Sequence, residues 1–160
     1  MLVICDNSTI SALAEMGLLD LLPQIVGPVV LPSAIAREAA HPAAPASLRS
    51  WIASPPAWLT LHQDPAVLLD ETASLGAGEA AAITLAWQNR EASSLVMDEK
   101  RGRAVAKALG LPVTGLLAIL VSAARAGLID FEDALARLQA TGFRFSSALI
   151  EQARSKAMKP

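Results

Sequence analysis

Short, wholly apolar runs alternate along the chain with stretches whose apolar residues recur every three or four positions. Leu2 to Cys5 holds no polar residue and stops at Asp6, the pattern of a strand buried on both faces. The pattern returns at Pro28 to Leu31, at Leu95 to Met97 just before Asp98, and at Pro112 to Thr114, while Trp58 to Leu61 reads as an edge strand. Between these runs Ser8 is placed to cap a helix reaching Glu15, with Gly17 as its left-handed end. Pro32 and Ser33 open a helix that carries Glu38 and stops near His41 and Pro42. Further helices are expected at about Gly78 to Asn89, Glu99 to Leu109 with Gly110 as C-cap, Gly115 to Ala126, Phe131 to Thr141 and Ser146 to Met158. The Pro-, Ala- and Ser-rich connection from Pro42 to Pro56 holds one short helix around Leu48 to Ile52.

Strands alternating with helices of this length predict an α/β fold, a three-layer α/β/α sandwich around a central, mainly parallel, twisted sheet. The 160 residues fit a single domain, with the helices from about residue 131 free to pack as an appendage. In such sheets ligands bind beyond the carboxyl ends of the strands, where Asp6 and Asp98 both fall.

Composition sharpens the picture in three respects. Apolar residues make up 53% of the chain and charged ones only 18%, which excludes a disordered chain and leaves apolar surface for a partner. Leu116, Leu117, Ile119 and Leu120 crowd one helix so densely that several must be buried, either in the core or against a second copy, and a homodimer is the working expectation. The lone Cys5, set in an apolar run, reads as a small buried side chain and suits a reducing cytoplasm. No basic residue precedes Asp6, so a secretory signal is not expected. The uncharged run from Ala108 to Ala124 is broken by Gly110, Pro112 and Gly115, too short a helix for a hydrocarbon core of about 30 Å. Charge is uneven: eight acids against two bases up to Asn89, then eleven bases against seven acids. An acidic pocket beside a basic rim suits a metal-dependent enzyme acting on a polyanion.

The candidate chemistry is carboxylate chemistry. One aspartate after a strand is an ordinary turn residue, but two on one sheet edge repel unless a cation or a proton holds them. Glu38, on a helix whose apolar side is marked by Ile35 and Ala39, and Glu79, in a first turn after Gly76 and Gly78, extend the acidic set. His41 and His62 lie beside prolines in loops and read as surface residues. Four carboxylates with no His or Cys make an all-oxygen site suited to Mg²⁺ or Mn²⁺ rather than zinc. Ser8 and Thr114 are placed to support it, although helix capping explains Ser8 equally well, and Lys100, Arg101, Arg103 and Lys107 flank it as phosphate-binding candidates, although a solvated helix face explains these bases slightly better.

Order and setting together are more specific. Val3-Ile4-Cys5-Asp6-Asn7-Ser8, Leu31-Pro32 with Ile35 and Glu38, Leu75-Gly76-Ala77-Gly78-Glu79-Ala80-Ala81-Ala82-Ile83, Val96-Met97-Asp98-Glu99 through Gly102-Arg103, and Val113-Thr114-Gly115 together resemble the PIN domain over nearly the whole chain. The third segment is similar to the L-G-x-G-E-x-x-A-I signature of a PIN subfamily described as nucleic-acid-binding. Glu99 departs from that subfamily, which often has a second aspartate there, and receives only a supporting role. The resemblance implies a PIN-like, VapC-like protein: an RNA-cleaving endoribonuclease using Mg²⁺ or Mn²⁺ at Asp6, Glu38, Glu79 and Asp98. It also implies the toxin role in a type II toxin–antitoxin pair, with a small antitoxin as partner. The alternative is a non-catalytic RNA- or metal-binding module on the same fold. A von Willebrand type A adhesion site is incomplete, since Ile10 replaces its last serine, and a receiver domain lacks its strand-end lysine at Thr114-Gly115.

Overall fold

The computed structural model describes residues 1–159. The elements follow in the order β1 (Leu2–Cys5), α1 (Asn7–Met16), α2 (Leu21–Ile25), β2 (Val29–Pro32), α3 (Ser33–Ala40), α4 (Ala46–Ala53), β3 (Leu59–His62), α5 (Ala77–Gln88), β4 (Ser93–Val96), α6 (Lys100–Ala108), β5 (Val113–Thr114), α7 (Leu116–Arg125), α8 (Phe131–Ala140) and α9 (Ser147–Ala157). A 3₁₀ turn at Asp70–Thr72 precedes α5.

The five strands form one sheet in the order β3-β2-β1-β4-β5, and every neighbouring pair is parallel. Successive residues of a strand point to opposite faces, so the complete burial of both Ile4 and Cys5, and of both Leu95 and Val96, means that helices cover the two sides of the sheet. The chain is thus an α/β/α sandwich of the PIN-like kind expected. Strand order runs outward from β1 in both directions, and the crevice between the ends of β1 and β4 is its topological switch point. Register fixes what lies there: Cys5 pairs with Val96, Asp6 N–H donates to Val96 O at 2.9 Å, and Asp6 and Asp98 leave the sheet together.

Several local expectations need correction. Asp6, not Ser8, caps α1, because its carboxylate already accepts Thr9 N–H while Ser8 lies inside the first turn. The short α2 was not expected. Its Pro23 sits in the first turn, where no intrahelical amide is required, and Leu21 and Leu22 anchor it in the core. At the end of α6 the prediction holds: Gly110 has φ +76°, and Leu111 N–H reaches back to Ala106 O at 3.0 Å while its side chain is buried.

Leu116, Ile119 and Leu120 are buried within the chain's own core and Leu117 is half-buried against it, so the crowding on α7 is accounted for mainly by that core and does not by itself call for a second copy. Phe131, Leu135 and Leu138 of α8 join the same buried cluster as Ile4 and Leu95, whereas α9 adds only Ala153. Arg154 ties α9 to α8 through Glu132. Among the described residues no helix is long and apolar enough to cross a membrane.

Candidate functional site

Asp6 is 2% exposed and both of its carboxylate oxygens accept hydrogen bonds. Its Oδ1 accepts Thr9 N–H at 2.9 Å; its Oδ2 accepts Ser8 Oγ–H at 3.0 Å and Asp98 N–H at 3.1 Å. Across the crevice Asp98 takes Thr9 Oγ1–H on Oδ2 at 2.9 Å, and Leu116 N–H, at the start of α7, lies 3.1 Å from both of its carboxylate oxygens. Thr9, 0% exposed, therefore holds one aspartate with its amide and the other with its hydroxyl. Arg103 leans in from α6, its Nη1 donating to Met97 O at 2.7 Å.

Glu38 and Glu79 approach from α3 and α5. Glu38 Oε1 accepts Gly78 N–H at 3.1 Å. Glu79 Oε2 is buried without a hydrogen-bond partner. Three glycines make room for three of the acids. A Cβ on Gly78 would lie 2.4 Å from Glu38 Oε1, one on Gly102 2.7 Å from Glu79 Oε2, and one on Gly115 3.0 Å from Asp98 Oδ1.

The crowding is electrostatic as well as steric. Burial raises the Asp98 carboxyl above the ordinary range; the Leu116 and Thr9 bonds oppose this, the Asp6 charge adds to it, and Arg103 lowers it. Glu79 is raised by burial and then by the charges of Glu99, Asp6 and Glu38. Desolvation raises Glu38 too, against the Gly78 bond, with Asp6 adding to the rise. Even the buried Cys5 thiol is pushed up, by burial first and then by Asp6 and Asp98, which keeps it protonated and inert. Asp6 thus acts on each of the other three acids, so all four belong to one electrostatic site.

A family model described as the PIN domain matches residues 2–159. The chain belongs to the PIN-domain family. No curated protein and no solved structure matches it significantly. PIN domains are in general nucleases, hydrolases acting on nucleic acid, and typically use divalent metal ions.

In this PIN domain the other expected residues are placed unevenly. Glu99 is exposed, precedes α6 without capping it, and acts on Glu79 through its charge. Thr114 lends its carbonyl to Met97 N–H at 2.9 Å; among the described residues its hydroxyl makes no hydrogen bond, and the Leu116 amide serves Asp98 instead. Lys100, Arg103 and Lys107 line one groove, but Arg101 turns away and donates to Ser74 O at 2.9 Å. Thr9 was not singled out from the sequence, and the three glycines entered there only as letters of the family motifs, without a role.

As a metal centre the site fits in donor chemistry. Its donors are all carboxylate oxygens, hard ligands for a hard cation, and Glu79 Oε2 is a buried acceptor with nothing to accept from. Among the described residues no three such side chains are drawn tightly enough around one point to hold an ion as placed, so a bound cation would gather side chains that now take amide hydrogens.

Proposed function

We propose that this PIN-domain protein is a divalent-metal-dependent endoribonuclease of the VapC-like kind, the toxin of a type II toxin–antitoxin pair acting in the cytoplasm. The observation that carries the reading is the linked pair of buried Asp6 and half-buried Asp98 at the switch point, with Asp6 electrostatically joined to Glu38 and Glu79. Asp6, Glu38, Glu79 and Asp98 would hold Mg²⁺ or Mn²⁺, which when bound supplies an acidified water and stabilises developing charge on phosphate. Thr9, Ser8 and the Leu116 amide orient the two aspartates. Lys100, Arg103 and Lys107 hold phosphates of the RNA beside them, while Arg101 does so only by releasing Ser74. The small antitoxin and a homodimer are partners of this proposal, although α7 no longer argues for the dimer.

RNA incubated with the purified protein and Mn²⁺ or Mg²⁺ is expected to be cut, with cutting lost in EDTA and in folded Asp6→Asn and Asp98→Asn variants. Full activity in either folded variant overturns the proposal. RNA affinity that persists in EDTA with no cleavage under Mn²⁺ favours the non-catalytic binding module.

A further inference from the structure

Beside Asp98 opens a groove of about 760 Å³ between α6, α7 and the segment leading into α9. One wall is the face of α6 that carries Lys100, Arg103 and Lys107, spaced so that all three share it. The opposite wall belongs to the C-terminal helices and carries Arg144 and Lys156, both exposed. Asp98 is the only acid among the lining residues. Among the described residues none of these five bases is in an ion pair, whereas Arg154, also on α9, is engaged by Glu132 and Glu151. Five positive charges against the single Asp98, which Arg103 faces, focus a positive potential along the cleft that a polyanion would neutralise. Between the walls, half-buried Phe145 and 51% exposed Leu149 offer apolar surface, which phosphate alone would not need and an unpaired base would.

We infer that this groove is a nucleic-acid track: Arg144 and Lys156 hold the phosphates of an unpaired strand leading to or from Asp98, and Phe145 takes one of its bases. The inference rests on the nucleic-acid reading above and extends it to the C-terminal helices, which that reading leaves without a role. An acidic polypeptide is the rival occupant. Five bases against one acid, set around a partly open aromatic ring, favour the nucleotide strand.

The test is equilibrium binding of a short fluorescent oligouridylate in EDTA, followed across a salt series. Each phosphate contact contributes about 0.7 to the slope of log affinity against log salt for a single strand. The Arg144→Ala/Lys156→Ala protein is therefore expected to lose about 1.4 of the wild-type slope and several-fold in affinity at low salt. An Arg49→Ala/Arg90→Ala protein removes the same charge elsewhere, Arg90 lying by the opposite end of the sheet near Met1, and is expected to keep both. Phe145→Ala, with Phe145→Leu to preserve apolar packing against Phe143, is expected to lower affinity roughly 5- to 100-fold at unchanged slope. Wild-type slope and affinity in the Arg144/Lys156 variant, the result an acidic polypeptide as occupant would give, overturn the inference. So does an equal loss in the Arg49/Arg90 control, or no binding by the wild type. Normal cleavage by the Arg144/Lys156 variant where Asp6→Asn is dead overturns the track and leaves the nuclease standing. Slope loss in a protein that never cuts RNA supports the track and removes the nuclease.

Discussion

Replacing Gly102 by alanine sets helix propensity against the space Glu79 occupies. Gly102 lies inside α6, where alanine gains about 1 kcal/mol over glycine. The new methyl would stand 2.7 Å from Glu79 Oε2 and 2.8 Å from Met97 Sδ, about an ångström inside ordinary van der Waals contact. Overpacking of this kind costs about 1–3 kcal/mol. Met97 is buried and gives reluctantly, while the Glu79 carboxylate is the end of a flexible side chain and moves first. The two effects leave a net loss of about 0–2 kcal/mol, which in a chain of this size lowers Tm by at most about 8 °C. Function should suffer far more, because a displacement near 1 Å at a reacting centre costs about 100-fold. Gly110→Ala is the converse control: φ is +76° with nothing within 4 Å, so alanine costs about 1–2 kcal/mol of backbone strain and leaves cleavage by the folded protein unchanged. Thermal melts and RNA cleavage rates on both variants decide the matter. A Gly102→Ala protein that cuts RNA at the wild-type rate would refute the reasoning that this glycine exists to seat Glu79.

Three further outcomes follow from the site. Because Glu79 has its folded-state pKa raised, by burial first and then by Glu99, Asp6 and Glu38, it binds its proton more tightly folded than unfolded and costs stability as pH rises above about 4.5. Glu79→Gln should therefore melt higher than wild type in EDTA at neutral pH, with the gap narrowing as pH falls and closed by about 4.5; a lower melt at pH 7 would contradict this. Mn²⁺ at about a hundred times its Kd should add about 2.7 kcal/mol, a Tm rise of roughly 5–10 °C that Asp6→Asn abolishes, and a flat metal titration by scanning fluorimetry would count against a cation site. Thr9→Val keeps the side-chain shape but removes the hydroxyl bond to Asp98, a bond to a charged group worth about 1.5–3 kcal/mol; a melt within error of wild type would show that Thr9 does not hold the two aspartates together.

The sheet was legible because parallel strands covered on both sides are mostly apolar, so Leu2 to Cys5 and Leu95 to Val96 stand out as apolar runs, although Ser93 and Ser94 open β4. Elements that owe their existence to tertiary contact were not. The five residues of α2 contain a proline and are too few for a helical period, and they fold because Leu21 and Leu22 find the core. The apolar excess on α7 was visible but ambiguous, since period alone cannot tell a core-facing stripe from a partner-facing one.

At the site, the acids could be found one by one from their places after strands and in first turns, but what lets the fold tolerate them could not. Three carboxylates each receive an amide from the opening turn of a helix. Asp6 takes Thr9 N–H of α1, Glu38 takes Gly78 N–H of α5, and Asp98 takes Leu116 N–H of α7. Helix N-termini carry partial positive charge, so the fold turns three of them toward its own acids and offsets part of their repulsion. The residues that make this possible look idle in the sequence. Thr9 reads as a small polar residue beside Ile10, and its partner Asp98 lies 89 positions away. Glycine at 78, 102 and 115 reads as turn or helix-breaking punctuation, although none of the three has positive φ; each leaves room for a carboxylate oxygen that stands 2.4–3.0 Å from where a Cβ would be. Glu79 Oε2 is the group the scheme leaves out, buried with no donor turned toward it. A cation binding there would gain a ligand without first displacing a hydrogen bond, which makes Glu79 an acid whose removal should cost metal affinity while costing the metal-free fold least.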